Sequence, residues 1–99
     1  MWKKITVFEW DEGNRDKNKK HKVEWHESEE VFFNQPLLIA LNPRHSQQEV
    51  RFQALGKTNF GRLLFISFTV RRHKVRIISA RDQSRKERSI YEKASQKAT

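Results

Sequence analysis

Residues 75–81 read VRIISAR, and residues 84–91 continue as SRKERSIY. In the first stretch Val75 and Ile77 alternate with Arg76 and Ile78, the period of two that marks a half-buried strand. In the second, Ser84 and Glu87 have the S-x-x-E spacing of a capping box, where each side chain satisfies a backbone N–H at a helix start. A helix opening there puts Arg85, Arg88 and Glu92 on one face, with Tyr91 beside them. Arg81 falls at the corner between strand and helix. From residue 71 to residue 88, eight Lys or Arg stand against two acids, Asp82 and Glu87. Strand, corner and helix together offer guanidinium groups suited to cradling phosphates.

Upstream, the pattern predicts further strands. Residues 50–57 alternate, with Val50, Phe52 and Ala54 opposite Arg51 and Gln53. Thr58-Asn-Phe-Gly61 carries hairpin chemistry, and residues 62–70 are apolar on both faces near the middle, as a central strand is. Arg71-Arg-His-Lys74 is the next turn. Residues 37–41 form a short apolar strand, followed by a turn or loop over residues 42–46. Residues 23–33 read as a helix with Trp25, Val31 and Phe32 at helical spacing, and the acids from Glu24 to Glu30 as its solvated face. Asn34-Gln-Pro36 should end it. Residues 2–10 form the first strand candidate, and Asp11 could cap a helix after it. Residues 12–22 contain no apolar side chain, so their pattern alone reads as a charged loop with a basic patch that includes Lys20. The last four strands, joined by short loops, predict an α+β domain. Its antiparallel meander would follow two early helical or loop segments and precede a C-terminal helix. One domain over residues 1–92 is expected, with residues 93–99 a frayed polar tail.

A net charge of +9 and a pI near 10.3 imply a polyanionic partner: RNA, DNA, a membrane surface or an acidic protein. No apolar run approaches the roughly 20 residues of a membrane span. The opening Met-Trp-Lys-Lys-Ile lacks the apolar stretch of a secretory signal, and with no cysteine the expected compartment is the cytoplasm. His21, His26, His45 and His73 have no metal-ligand spacing, so neither metal nor cofactor is expected. Glycine-rich phosphate loops and a recognisable serine nucleophile are absent.

Chemistry that needs only positive charge and proton transfer suits what remains. In RNA cleavage through the ribose 2′-hydroxyl, one group accepts a proton, another protonates the leaving 5′-oxygen, and arginines stabilise the added charge. Arg51, Arg62, Arg76, Arg81, Arg85 and Arg88 are the arginine candidates; His21, Glu49 and Tyr91 are the proton-transfer candidates. The residues equally allow a solvated arginine face with ordinary helix salt bridges, and a Tyr91 that only packs the helix onto the sheet.

Trp10-Asp11, Asn18, Lys20-His21, Val23, Trp25, Val31-Phe32, Glu49, Arg51, Gly56, Gly61-Arg62, RIISAR at 76–81, Arg85, Glu87-Arg88 and Tyr91 succeed one another through residues 8–92. In that combination the chain resembles the BrnT toxins of bacterial type II toxin–antitoxin pairs, which are similar in fold to RelE-type ribonucleases. The resemblance implies a helix after Asp11, a growth-arresting endoribonuclease, and an inhibitory BrnA-like ribbon-helix-helix antitoxin through which alone operator DNA is contacted. Among the candidates read from the residues, Arg62, Arg81 and Tyr91 are the expected catalytic groups, with His21 and Glu49 moving protons. Lys20, Arg51, Arg76, Arg85 and Arg88 would bind RNA. The alternative is a non-catalytic nucleic-acid-binding or regulatory protein. The family usually has lysine where this chain has Asn14, and alanine where it has Ser28.

Overall fold

A computed structural model describes residues 7–15, 21–42 and 49–98. Along the chain lie α1 (Glu12–Arg15), α2 (Trp25–Val31), β1 (Leu38–Leu41), β2 (Arg51–Lys57), β3 (Leu63–Arg71), β4 (Lys74–Asp82) and α3 (Arg85–Ala98). The strands form one antiparallel sheet in the order β1-β2-β3-β4, the meander expected from the short loops. Local chemistry fixes its hairpins. Thr58 N–H donates to the Arg62 carbonyl (2.9 Å) around a loop whose Gly61 takes φ +86°. Arg72 and His73, at φ 51° and 67°, make the left-handed turn whose twist matches two right-twisted strands.

One irregularity changes the reading of VRIISAR. Ser67 pairs with Ser79 but Phe68 pairs with Ile77, so Ile78 is an extra residue on β4. Strict alternation would send Arg81 to the same face as Val75 and Ile77. The bulge instead puts Ala80 in the core with Val75 and Ile77, and turns Arg81 to the side of Arg76.

The buried face carries Ala54, Leu64, Ile66, Phe68, Val75, Ile77 and Ala80, and α2 covers it through Val31. Phe32 meets Phe68 edge-on at 5.0 Å, and Phe8 meets Phe32 at 5.5 Å. The acids of α2 are not merely solvated. Glu29 accepts from the Trp10 indole (2.7 Å), Glu30 from the Asn59 N–H (3.0 Å), and Glu27 from Arg62 (3.2 Å). Ser28 on the same helix is 0% exposed, and its hydroxyl has no hydrogen-bond partner among the described residues. An unpaired buried hydroxyl is costly, so Ser28→Ala should stabilise the fold by about 1 kcal/mol. Thermal denaturation checks this, with an expected rise of ~4–8 °C for a domain of this size.

The N-terminal segment covers the outer edge of β4. Val75 N–H donates to the Val7 carbonyl (2.9 Å) and Glu9 N–H to the Val75 carbonyl (2.8 Å), with Phe8 making a single parallel bridge to Val75. The expected strand over residues 2–10 is therefore reduced to that bridge where it is described; residues 1–6 lie outside the described residues. Helix α1 forms, as the resemblance implied. The lack of apolar side chains hid its anchor: buried Asn14 donates to the carbonyls of Glu9 (3.0 Å) and Ile77 (2.9 Å), while Asp11 caps the Asn14 N–H (3.1 Å). Most of the expected loop over residues 42–46 lies outside the described residues. Helix α3 runs to Ala98 instead of fraying from residue 93. Ser84 and Glu87 start it with the expected reciprocal bonds (2.8 and 3.2 Å), and Lys93, Ala94, Gln96 and Lys97 are good helix formers.

Candidate functional site

Residues directly paired across strands share a face. Opposite the core face, the register therefore stacks three rows: Arg51, Thr69 and Arg76; then Gln53, Ser67 and Ser79; then Leu55, Phe65 and Arg81. The first and third rows are about 13 Å apart along the strands. Helix α3 lies over the third row, where a cleft of about 430 Å³ opens between Leu38, Leu55 and Phe65 on the sheet, with Gln53 of the second row at its side, and Lys86, Glu87 and Ile90 on the helix.

Each arginine on this face meets a carboxylate. Arg76 forks onto Asp11 (2.9 and 3.1 Å) and reaches Glu9 (3.3 Å). Arg81 grips both oxygens of Glu87 (2.8 and 3.0 Å), and its guanidinium lies over the Phe65 ring, 4.1 Å from the centroid. Arg51 is held more loosely: its Nε is 3.9 Å from Glu49, and that buried nitrogen has no hydrogen bond among the described residues. Glu49 is engaged chiefly by Arg71, at 2.6 Å.

A second group forms at the strand-to-helix corner. Arg62 donates to Asp82 (2.8 and 3.3 Å), to Glu27 (3.2 Å), and to the carbonyls of Lys22 (2.9 Å) and His21 (3.4 Å). The Arg62 bond holds Asp82 below the usual carboxylate range, helped by the charges of Arg88 and His21. Arg81 joins this corner through the Asp82 carbonyl (3.0 Å). So Arg62 binds the Asp82 carboxylate and Arg81 the Asp82 carbonyl, with the charges of Arg88 and His21 acting on the same carboxylate, a node with no signature in the linear pattern. Arg51, Arg76 and Glu49 sit at the far end of the open face, and Arg85 is exposed on the first turn of α3.

Tyr91 joins neither group. It is 2% exposed, and its hydroxyl donates to the Pro36 carbonyl at 2.6 Å, tying α3 to the loop before β1. Burial pushes its pKa up, which opposes any release of the proton. That placement fits the packing role that the sequence also allows for Tyr91. Lys20 lies outside the described residues. The polar row of Gln53, Ser67 and Ser79 was missed, although serines in the middle of otherwise apolar strands were the available signal.

The ion pairs set an acid dependence. Arg81 holds Glu87 low, Arg62 holds Asp82 low and Arg76 holds Asp11 low, each chiefly by a hydrogen bond. Depressed folded pKa values mean that the stabilisation is fully present above the unfolded values, near 4. It is lost as pH falls through the folded ones. Urea midpoints should therefore fall on acidification below about pH 5. Glu87→Gln should make that fall smaller; a midpoint that rises with acid would contradict the assignment.

Among the described residues no group of three His, Cys, Asp or Glu is placed to hold a metal ion, and no helix is long and apolar enough to cross a membrane. A search of curated proteins finds no match. The family model described as the ribonuclease toxin, BrnT, of type II toxin–antitoxin systems matches residues 10–87, which takes in every arginine of both groups except Arg88, and the chain belongs to that family.

Proposed function

We propose that this ribonuclease toxin lays its RNA along the open sheet face and cleaves at the Arg81 corner, without a metal ion. The carrying observation is the bulge at Ile78, which brings Arg81 onto the side of Arg51 and Arg76. Arg51 and Arg76 hold backbone phosphates, Gln53, Ser67 and Ser79 offer neutral hydrogen bonds between them, and Arg81 with Arg88 meets the charge that grows on the reacting phosphate. Arg62 keeps the corner together by binding Asp82, Glu27 and the backbone at His21. His21 is the proton-transfer group at this corner. Glu49, bound to Arg71 at the opposite end of β3, is roughly 20 Å away along the strand and cannot serve the same phosphodiester. It orients Arg51 and Arg71 instead. The 2′-hydroxyl gives its proton to His21 as its oxygen bonds to phosphorus and closes a 2′,3′-cyclic phosphate; the P–O5′ bond breaks, and the departing oxygen takes a proton from water to leave as a 5′-hydroxyl.

The antitoxin that the family implies is, on this reading, a BrnA-like ribbon-helix-helix protein, and operator DNA is reached only through it. An acidic segment would cover the same arginines. The cleft beside Arg81 and Glu87, with Leu38, Leu55, Phe65 and Ile90 against Lys86, suits an apolar side chain from such a segment. The site of action is the cytoplasm.

The test is incubation of the purified toxin with RNA in excess EDTA, with analysis of the product ends. Fragments ending in 2′,3′-cyclic phosphate are expected. Loss of cleavage in EDTA ends the metal-free reading. Salt-sensitive binding with no fragments would favour the non-catalytic alternative.

A further inference from the structure

The tip of the β2–β3 hairpin stands at the same end of the sheet as the Arg62–Asp82 corner, and it presents Phe60 with 98% of its surface exposed. The other six phenylalanines each face an aromatic ring or a guanidinium: Phe8, Phe32, Phe33, Phe52 and Phe68 meet one another, and Phe65 lies beneath Arg81. The turn that carries Phe60 is firmly built. Arg62 N–H donates to the Thr58 hydroxyl (3.0 Å), Gly61 N–H to the Thr58 carbonyl (3.0 Å) and Asn59 N–H to Glu30 (3.0 Å). Asn34 bridges Lys57 and Asn59 at 3.0 and 2.9 Å. A bare phenyl ring on a pinned turn gains nothing from burial in the fold. Its backbone is already ordered, however, so a flat partner that settles on it has only the ring's own rotamers left to fix.

We infer that Phe60 is a stacking platform for a nucleobase of the RNA substrate, next to the phosphate held at the corner. The inference rests on the reading of that corner as the cleavage site. Two residues on, Arg62 reaches the backbone at His21 and Lys22, so a base lying on Phe60 would belong to a nucleotide adjoining the His21–Arg81 corner. Every base has a π-face, so the contact confers affinity with only a modest base preference, set by stacking strength.

The experiment uses two substrates: cleavable RNA, and a uniformly 2′-O-methylated oligonucleotide carrying 2-aminopurine, which cannot cyclise and whose fluorescence falls on stacking. Phe60→Ala should weaken binding by about 5- to 150-fold, the range that base–aromatic stacking spans. The 2-aminopurine quench should be lost, with KM raised, kcat kept and the melting temperature unchanged. Phe60→Trp should restore both affinity and quench. Wild-type affinity and quench in Phe60→Ala would overturn the inference, as would a Phe60→Ala that loses only antitoxin binding. If wild-type toxin neither binds nor cleaves RNA, the corner reading itself falls and takes the inference with it; normal wild-type cleavage with an indifferent Phe60 isolates the failure to this residue.

Discussion

Arg81→Ala should lower the rate of RNA cleavage about 10²–10³-fold, as loss of one preorganised donor to a developing negative charge does. The thermal cost should be small. Arg81 and Glu87 form a half-exposed ion pair, with side-chain exposures of 37% and 21%, and such pairs are worth about 1 kcal/mol or less. Helix α3 keeps its start, because Ser84 and Glu87 still cap each other. Arg81→Lys should recover only part of the rate, since an ammonium cannot reproduce the fork that now holds both oxygens of Glu87. Arg62→Ala is the instructive contrast. It too should reduce cleavage, but with a clear loss of melting temperature, because it strands Asp82, Glu27 and two backbone carbonyls at once. Single-turnover cleavage together with melting curves for the three variants separates these roles. An Arg81→Ala protein that cleaves like the wild type would remove Arg81 from the chemistry.

The features legible in the sequence are those set by near neighbours. Ser84 and Glu87 are three residues apart, so their reciprocal capping can be read without knowing the fold. Residues 58–61 and 71–74 carry their hairpins for the same reason, and the meander results from them. The features that could not be read depend on partners far along the chain. Nothing in Ile77-Ile78-Ser79 marks which residue is extra; that is decided when Ser67 and Phe68 pair with Ser79 and Ile77. The side to which Arg81 turns, and with it the reach of the arginine face, rests on that choice. Helix α1 was obscure because its hold on the fold is polar, through Asn14 to Ile77 and Asp11 to Arg76, with no apolar stripe to announce it. The acids of α2 looked solvated because their partners, Trp10, Asn59 and Arg62, lie well away in sequence. Tyr91 has two roles open to it in the sequence, and what weighs for packing, its burial and its bond to the Pro36 carbonyl, depends on a partner 55 residues away.

Gly56→Ala should destabilise the fold by about 1–3 kcal/mol, a large part of the ~5–15 kcal/mol that holds a typical domain together. A methyl group there would overlap Val31 Cγ1 and stand 3.4 Å from the Val31 carbonyl oxygen. Val31 cannot simply swing aside: it is 0% exposed and β-branched, and in a helix such a side chain has one strongly preferred rotamer. Relief must come from α2 moving off the sheet. That movement would pull Phe32 from Phe68 and Glu27 from Arg62, so the damage should spread to the corner and slow cleavage as well. Melting should drop by ~4–8 °C for each kcal/mol. The cause can be isolated with Val31→Ala, which alone leaves a cavity but in the double variant makes room for the new methyl. If the clash is the mechanism, Gly56→Ala/Val31→Ala should lose less stability than the sum of the single changes, by about 0.5–3 kcal/mol. A strictly additive pair would mean that Gly56 matters for some reason other than the seat it leaves for Val31.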